Sequence, residues 1–204
     1  GAHTGRWSGT GGINFQALAK KELFGVNVGK LLRPTQGTFI HADFSNIEAR
    51  VLLWLAGDDE TLDLIANGMD IYEAHARSSG LYNGKEPLAQ VDPDLRQLCK
   101  ARVLGLGYGC GAKTFRAVAL TMGGIKLTEG EAKAAVDSYR ESNPLITGLW
   151  AKLEDYSKDN RDIPLPSGRT LTYHVHEGKV SYARGMDPIK IWGGLLVENV
   201  TQAV

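Results

Sequence analysis

The side chains best suited to chemistry fall into two groups, the carboxylates Asp43 and Glu48 and the cations Arg96 and Lys100. Asp43 stands where one local pattern gives way to another. Residues 38–42 are β-branched and aromatic and follow a turn signal at 34–37, which predicts a short buried strand. From Ile47 the apolar positions Ile47, Val51, Trp54 and Leu55 take helical spacing, and Gly57 ends the run. A carboxylate at such a junction lies within reach of the positive end of the following helix and can hold a hard divalent cation such as Mg²⁺. Ser45 with Glu48 three residues later also fits a capping box, so the same residues can be read as helix caps.

The cations belong to a second element. Asp92 as N-cap and Pro93 at the first helical position mark a helix start. Arg96, Lys100 and Leu104 recur every fourth residue on one face, which Tyr108 continues if the helix reaches it. Arginine offers a planar fork to phosphate oxygens and lysine a compact charge, so the stripe suits a triphosphate, a sugar and a base laid along one helix. A solvated basic face gives the same pattern. Gly105, Gly107, Gly109 and Gly111 follow the helix instead of preceding it. That order excludes a dinucleotide fingerprint and predicts a flexible helix end able to swing over a bound nucleotide.

Other elements must position these groups. Residues 1–30 are rich in glycine and polar side chains and read as loops and turns. Residues 61–66 and 70–79 are predicted as short helices stopped by Gly68 and Gly80, with Asp70 and Glu73 as a capping pair. Thr128 and Glu131 form a capping box ahead of a helix over 132–141, and Asn143 and Pro144 open another with the stripe Ile146, Leu149, Trp150, Leu153 and Tyr156 as core. Residues 164–168 turn into an alternating segment at 171–175 that reads as a hairpin, with His174 and His176 on one strand face as an incomplete metal pair. Asp187 and Pro188 are read as opening a final helix over 189–204.

Composition sets outer bounds. A chain of 204 residues buries a substantial core as one large or two small domains. Two cysteines supply neither a disulfide framework nor a zinc site, and no segment reads as a signal peptide or membrane span, so a cytoplasmic protein with no membrane partner is expected. Formal net charge is zero, but charge is sorted along the chain. Residues 43–94 hold 11 acidic and 3 basic side chains, 95–116 hold 5 basic and no acidic ones, and 1–33 hold 5 basic and 1 acidic. That sorting accommodates a local phosphate-binding cleft in a neutral protein.

The segment DFSNIEAR, residues 43–50, resembles the motif A signature of family A DNA polymerases, D-Y-S-x-I-E-x-R. The spacing R-x3-K-x3-L-G-x2-YG from Arg96 resembles the family's motif B, and TGRWSGTGGINFQ at 4–16 and GGLLVENVTQAV at 193–204 are similar to its primer-template contact segments. The resemblance implies that Asp43 and the Phe44 backbone carbonyl bind the catalytic metals and that Glu48 blocks the sugar 2′-OH. It implies further that Arg96 and Lys100 bind the triphosphate, that Lys100 is also catalytic, and that Tyr108 sits beside the templating base. Arg6, Asn14, Gln16 and Gln202 are implied as DNA contacts. The sequence departs from the family at Leu104, where an aromatic residue packs on the nucleotide sugar, and at Tyr72, where a histidine reaches the triphosphate.

The fold implied is α+β, a polymerase palm with an antiparallel sheet and helices, interrupted by mostly helical fingers. Residues 1–57 would be palm, 58–187 fingers and 188–204 the start of a second palm segment. The function implied is template-directed addition of dNTPs to a primer 3′ end, with two Mg²⁺ ions and primer-template DNA, by a monomeric catalytic unit of bacteriophage type acting in the host cytoplasm. The family's second metal-binding Asp lies in an H-D-E turn that these residues do not include, so they are expected to be an excerpt that is inactive alone. Competing readings are a single-subunit RNA polymerase, which Glu48 argues against, and a noncatalytic nucleotide- or nucleic-acid-binding module.

Overall fold

The computed structural model describes residues 2–6, 9, 22, 24–40, 42–177, 179–184 and 187–204. Helix α1 spans Ile47–Ala56, α2 Asp59–Ala66, α3 Ile71–Ser78, α4 Leu88–Val91 and α5 Pro93–Gly105. A 3₁₀ turn at Leu106–Tyr108 continues α5, and α6 Ala112–Val118, α7 Glu129–Ser142 and α8 Pro144–Asp159 follow. Strands β1 Asp162–Pro164, β2 Thr170–Thr172, β3 His174–His176, β4 Lys179–Arg184 and β5 Asp187–Ile191 lead to the last helix, α9 Gly193–Ala203. This is an α+β chain, mainly helical, with two small antiparallel sheets ordered β1-β2 and β3-β4-β5.

Local signals set several helix ends. Asp92 accepts from the Leu95 N–H at 2.9 Å with Pro93 at the first position, and Thr128 and Glu131 close a reciprocal capping box on α7. Asp58 and Asp70 cap α2 and α3 in the same way. Gly57 ends α1 at φ 72°, a left-handed conformation that glycine adopts without the steric cost other residues carry.

Two cores result. In the larger, Leu52 of α1, Ala74 and Ala76 of α3, Cys99 and Ala101 of α5, and Tyr139 of α7 pack together. In the smaller, Leu171, Tyr173, Val180 and Ile191 of the strands pack with Leu196 and Val200 of α9. Helix α9 joins the two, because Val197 belongs to the first and Leu196 to the second.

Five expectations need correction. Residues 38–40 and 42 form no strand; Phe39 and Ile40 are exposed, and no strand among the described residues lies beside them to complete a ladder. Helix α1 has the predicted extent but a rotated buried face, Ala49, Leu52 and Leu53, with Trp54 52% exposed. Residues 187–191 are β5, not helix, and α9 begins only after Trp192. The stripe of α8 is core at Ile146 and partly at Trp150, but Tyr156 is exposed. The capping box at Ser45 and Glu48 is absent: Asn46 holds the N-cap position at φ 51° with no side-chain cap bond.

Candidate functional site

The residues Asp43 to Asn46 turn directly into α1, and this junction is tied to α5 through α3. Asn46 Oδ1 accepts from the Tyr72 hydroxyl at 3.2 Å. The guanidinium of Arg96 lies over the Tyr72 ring, 5.1 Å from its centre, and donates to both carboxylate oxygens of Asp70 at 3.0 Å. The start of α1 and the first cation of the α5 stripe thus meet around one aromatic ring. Asp43 and Phe44 are exposed and Asp43 has no ion-pair partner among the described residues.

The stripe itself lies on one face. Arg96, Lys100, Leu104 and Tyr108 are all half-buried, while Cys99, Arg102 and Val103 on the other side are buried. Burial and the nearby Asp70 carboxylate push the Tyr72 phenol above its ordinary range, with Arg96 opposing. Its one donor is spent on Asn46. The Arg96 fork is likewise filled, bidentately, by the two oxygens of the Asp70 carboxylate.

Below the stripe, α5 closes against α8 and α9. Trp150 Nε1 donates to the Gly107 carbonyl at 2.9 Å. A Cβ on Gly194 would stand 2.3 Å from the Tyr108 carbonyl oxygen, so α9 approaches the end of α5 as closely as a glycine permits. The glycine-rich helix end is therefore a packed joint, and the expected swinging segment is corrected to that extent. Tyr108 borders a cavity of ≈ 570 Å³ with Leu104, Thr114, Trp192 and Glu198. Burial, and after it the Glu48 carboxylate, push the Tyr108 phenol well above its usual range.

Glu48 faces a third group. Its Oε1 accepts from Arg6 Nη1 at 2.8 Å, both side chains being partly exposed. Arg6 is placed by Arg169, whose guanidinium lies against Gly5 and donates to the Thr4 carbonyl at 3.1 Å and to Ala203 O at 3.4 Å. Thr4 Oγ1 reaches Gln202 Oε1 at 3.5 Å, and Gln202 Nε2 donates to Glu198 Oε1 at 3.2 Å. Burial and then Glu48 raise the Glu198 carboxyl above its ordinary value. Arg6, Glu48, Gln202 and Tyr108 are so gathered around α9. Asn14 and Gln16 lie outside the described residues.

Sequence reasoning missed Asp70 as the partner of Arg96, Asn46 as the acceptor for Tyr72, and Trp192 as a cavity wall. Asn46 carried the only readable signal, since asparagine tolerates left-handed backbone just ahead of a helix. His174 and His176 are exposed on β3, and no group of three or more metal-ligating side chains occurs among the described residues. No helix among them is long and apolar enough to cross a membrane.

The sequence profile of DNA polymerase family A matches residues 1–183. The chain is 32% identical over 211 aligned positions to the DNA polymerase of Bacillus phage SP02, covering 83% of this chain and 31% of that protein. It is 32% identical to DNA polymerase I of Borreliella burgdorferi over 65% of this chain and 14% of the relative, and 30% identical to the thermostable DNA polymerase I of Thermus filiformis over 70% and 16%. The chain therefore spans less than a third of the length of these curated relatives.

Proposed function

This chain belongs to DNA polymerase family A, and we propose that it carries the nucleotide-binding part of a polymerase that extends a primer 3′ end from dNTPs and releases pyrophosphate. The observation that supports this reading most is the run of contacts Asn46–Tyr72–Arg96, which brings the residues just after Asp43 against the cationic stripe of α5. A carboxylate ready for a metal and a row of cations for a triphosphate are what in-line displacement at phosphorus needs in one place.

In this reading Arg96 exchanges the Asp70 carboxylate for phosphate oxygens, and Lys100 neutralises charge that builds on the departing pyrophosphate. Leu104 packs beside the sugar, Tyr108 lies beside the templating base, and Tyr72 stands under Arg96 in place of a charged ligand. Glu48, held by Arg6, obstructs a ribose 2′-OH and so favours DNA over RNA synthesis. Arg6 and Gln202 flank the primer-template from the α9 side. Residues 1–57 would contribute palm, 58–187 fingers and 188–204 palm again.

Asp43 offers a hard oxygen ligand that no described cation engages, and with the Phe44 carbonyl it would hold Mg²⁺. Bound there, the ion would activate the primer 3′-OH and neutralise phosphate charge. The direct test is Mg²⁺-dependent primer extension by the complete polymerase. Glu48→Ala is expected to raise ribonucleotide incorporation relative to dNTP; an unchanged ratio removes that role from Glu48, and a wild-type protein that extends no primer overturns the proposal.

A further inference from the structure

The three-stranded sheet sorts its residues onto two faces. Cross-strand partners point the same way. The pairs His176 with Lys179, His174 with Ser181 and Ser181 with Lys190 therefore share one face, opposite the buried pair Val180 and Ile191. His174, His176, Lys179 and Lys190 are all exposed. Among the described side chains of this face, His174, His176, Lys179, Ser181 and Lys190 are all cationic or neutral hydrogen-bonding groups, and neither lysine has a carboxylate partner among the described residues.

Trp192 continues it. Two residues beyond Lys190, still in extended backbone at φ −131° and ψ 170°, it points to the same side and is 54% exposed. Its side chain borders both the ≈ 570 Å³ cavity beside Tyr108 and Glu198 and a ≈ 350 Å³ cavity lined by Trp150, Arg140 and Glu154. At the other margin Lys158 and Glu154 of α8 join Lys179 and Lys190 around a groove of ≈ 180 Å³, three cations to one carboxylate, floored by Val180 and Ile191. Of the α8 carboxylates there, Asp155 is paired with Lys158, and Glu154 accepts from the Gly193 N–H and keeps its charge, which leaves the groove net cationic.

An aromatic platform leading into a row of cations is the surface that binds single-stranded nucleic acid without reading its sequence, bases stacking on the rings and phosphates meeting the charges. We propose that the outward face of the β3-β4-β5 sheet, headed by Trp192, is a track for the single-stranded template overhang entering the cavity beside Tyr108. The overhang is favoured over a duplex because the track begins at a flat, half-exposed indole bordering a cavity, where an unpaired base can stack. This rests on the reading of the chain as part of a DNA polymerase.

The test compares primer-templates with a one-nucleotide and a ten-nucleotide 5′ overhang, bound by the complete polymerase over a range of salt. The longer overhang is expected to bind about tenfold tighter and to steepen the salt dependence, by about 0.7 in log–log slope for each phosphate held. K179E with K190E should abolish that gain while leaving affinity for the short overhang unchanged, and Trp192→Leu should reduce it severalfold. Exchanging Lys85 and Lys126, which lie off this sheet, should change neither. A gain retained by K179E/K190E, an equal loss on both substrates, or a gain seen only when the overhang is made double-stranded overturns the track. A wild-type polymerase that binds and extends no primer-template overturns the functional reading instead.

Discussion

Arg102 is a cation buried without an anionic partner among the described residues. It is 2% exposed on the face of α5 opposite Lys100. Its Nε donates to His75 Nε2 at 3.2 Å and its Nη1 to Ala135 O at 3.3 Å, the Tyr139 ring lies 5.5 Å from its guanidinium carbon, and Nη2 has no partner among the described residues. His75 must accept at Nε2, so the network assigns its proton to Nδ1, facing Ser79 Oγ at 3.3 Å. Burial, and after it the Arg102 charge, push the imidazole down to about 3. Replacing His75 by Leu leaves a buried guanidinium N–H unpaired, at a cost of about 2–3 kcal/mol. Replacing Arg102 by Met removes the charge together with its desolvation penalty and keeps the apolar stem, so its cost is about 1 kcal/mol or less.

The double variant should match Arg102→Met alone, because the two effects share one contact. Urea unfolding with m-values compared across variants measures all three. The histidine also predicts a pH dependence. Its folded value lies below the ordinary 6.5, so the unfolded chain binds the proton preferentially between the two. The stabilisation is complete above pH 6.5 and is lost toward pH 3, with a slope that approaches ~1.4 kcal/mol per pH unit. His75→Leu should remove that component. If Arg102→Met destabilises more than His75→Leu, or if the acid slope survives His75→Leu, the reasoning fails.

Two further outcomes follow from the site. Asp70→Asn keeps an N-cap for α3 but weakens the carboxylate that fills the Arg96 fork, a partly exposed pair worth about 1 kcal/mol. The dNTP KM should fall by roughly fivefold in primer extension, and a rise would mean that Asp70 orients Arg96 instead of competing for it. Gly194→Ala would place a methyl 2.3 Å from the Tyr108 carbonyl oxygen and 3.0 Å from the Gly109 Cα. Overpacking of that kind costs about 1–3 kcal/mol, so the melting temperature should drop and dNTP incorporation with it; an unchanged melting temperature would refute the close joint between α5 and α9.

What the sequence revealed follows how local each signal is. Asp92 with Pro93, Thr128 with Glu131, and Gly57 act within one helical turn, and all hold where they were expected. The period of α1 was legible but its phase was not, because residues 51–55 are all apolar and a continuous run does not choose a face. Residues 38–42 have strand composition, yet a strand exists only beside a partner, which composition does not supply. Asp187 and Pro188 imitate a helix start, but β5 is an edge strand, where proline is tolerated. At the site, the spacing of Arg96, Lys100, Leu104 and Tyr108 gave the stripe correctly. The filling of Arg96 by Asp70, and the buried Arg102 two residues past Lys100, depend on which helices meet.

The most direct test of the central claim is single-turnover dNTP incorporation by the complete polymerase carrying Asp43→Asn, with primer-template affinity measured in parallel. Loss of incorporation by several orders of magnitude in Mg²⁺, with DNA affinity unchanged, is the predicted result. Incorporation at a rate near that of the wild type would contradict a metal-binding carboxylate at Asp43 serving the same nucleotide as Arg96 and Lys100.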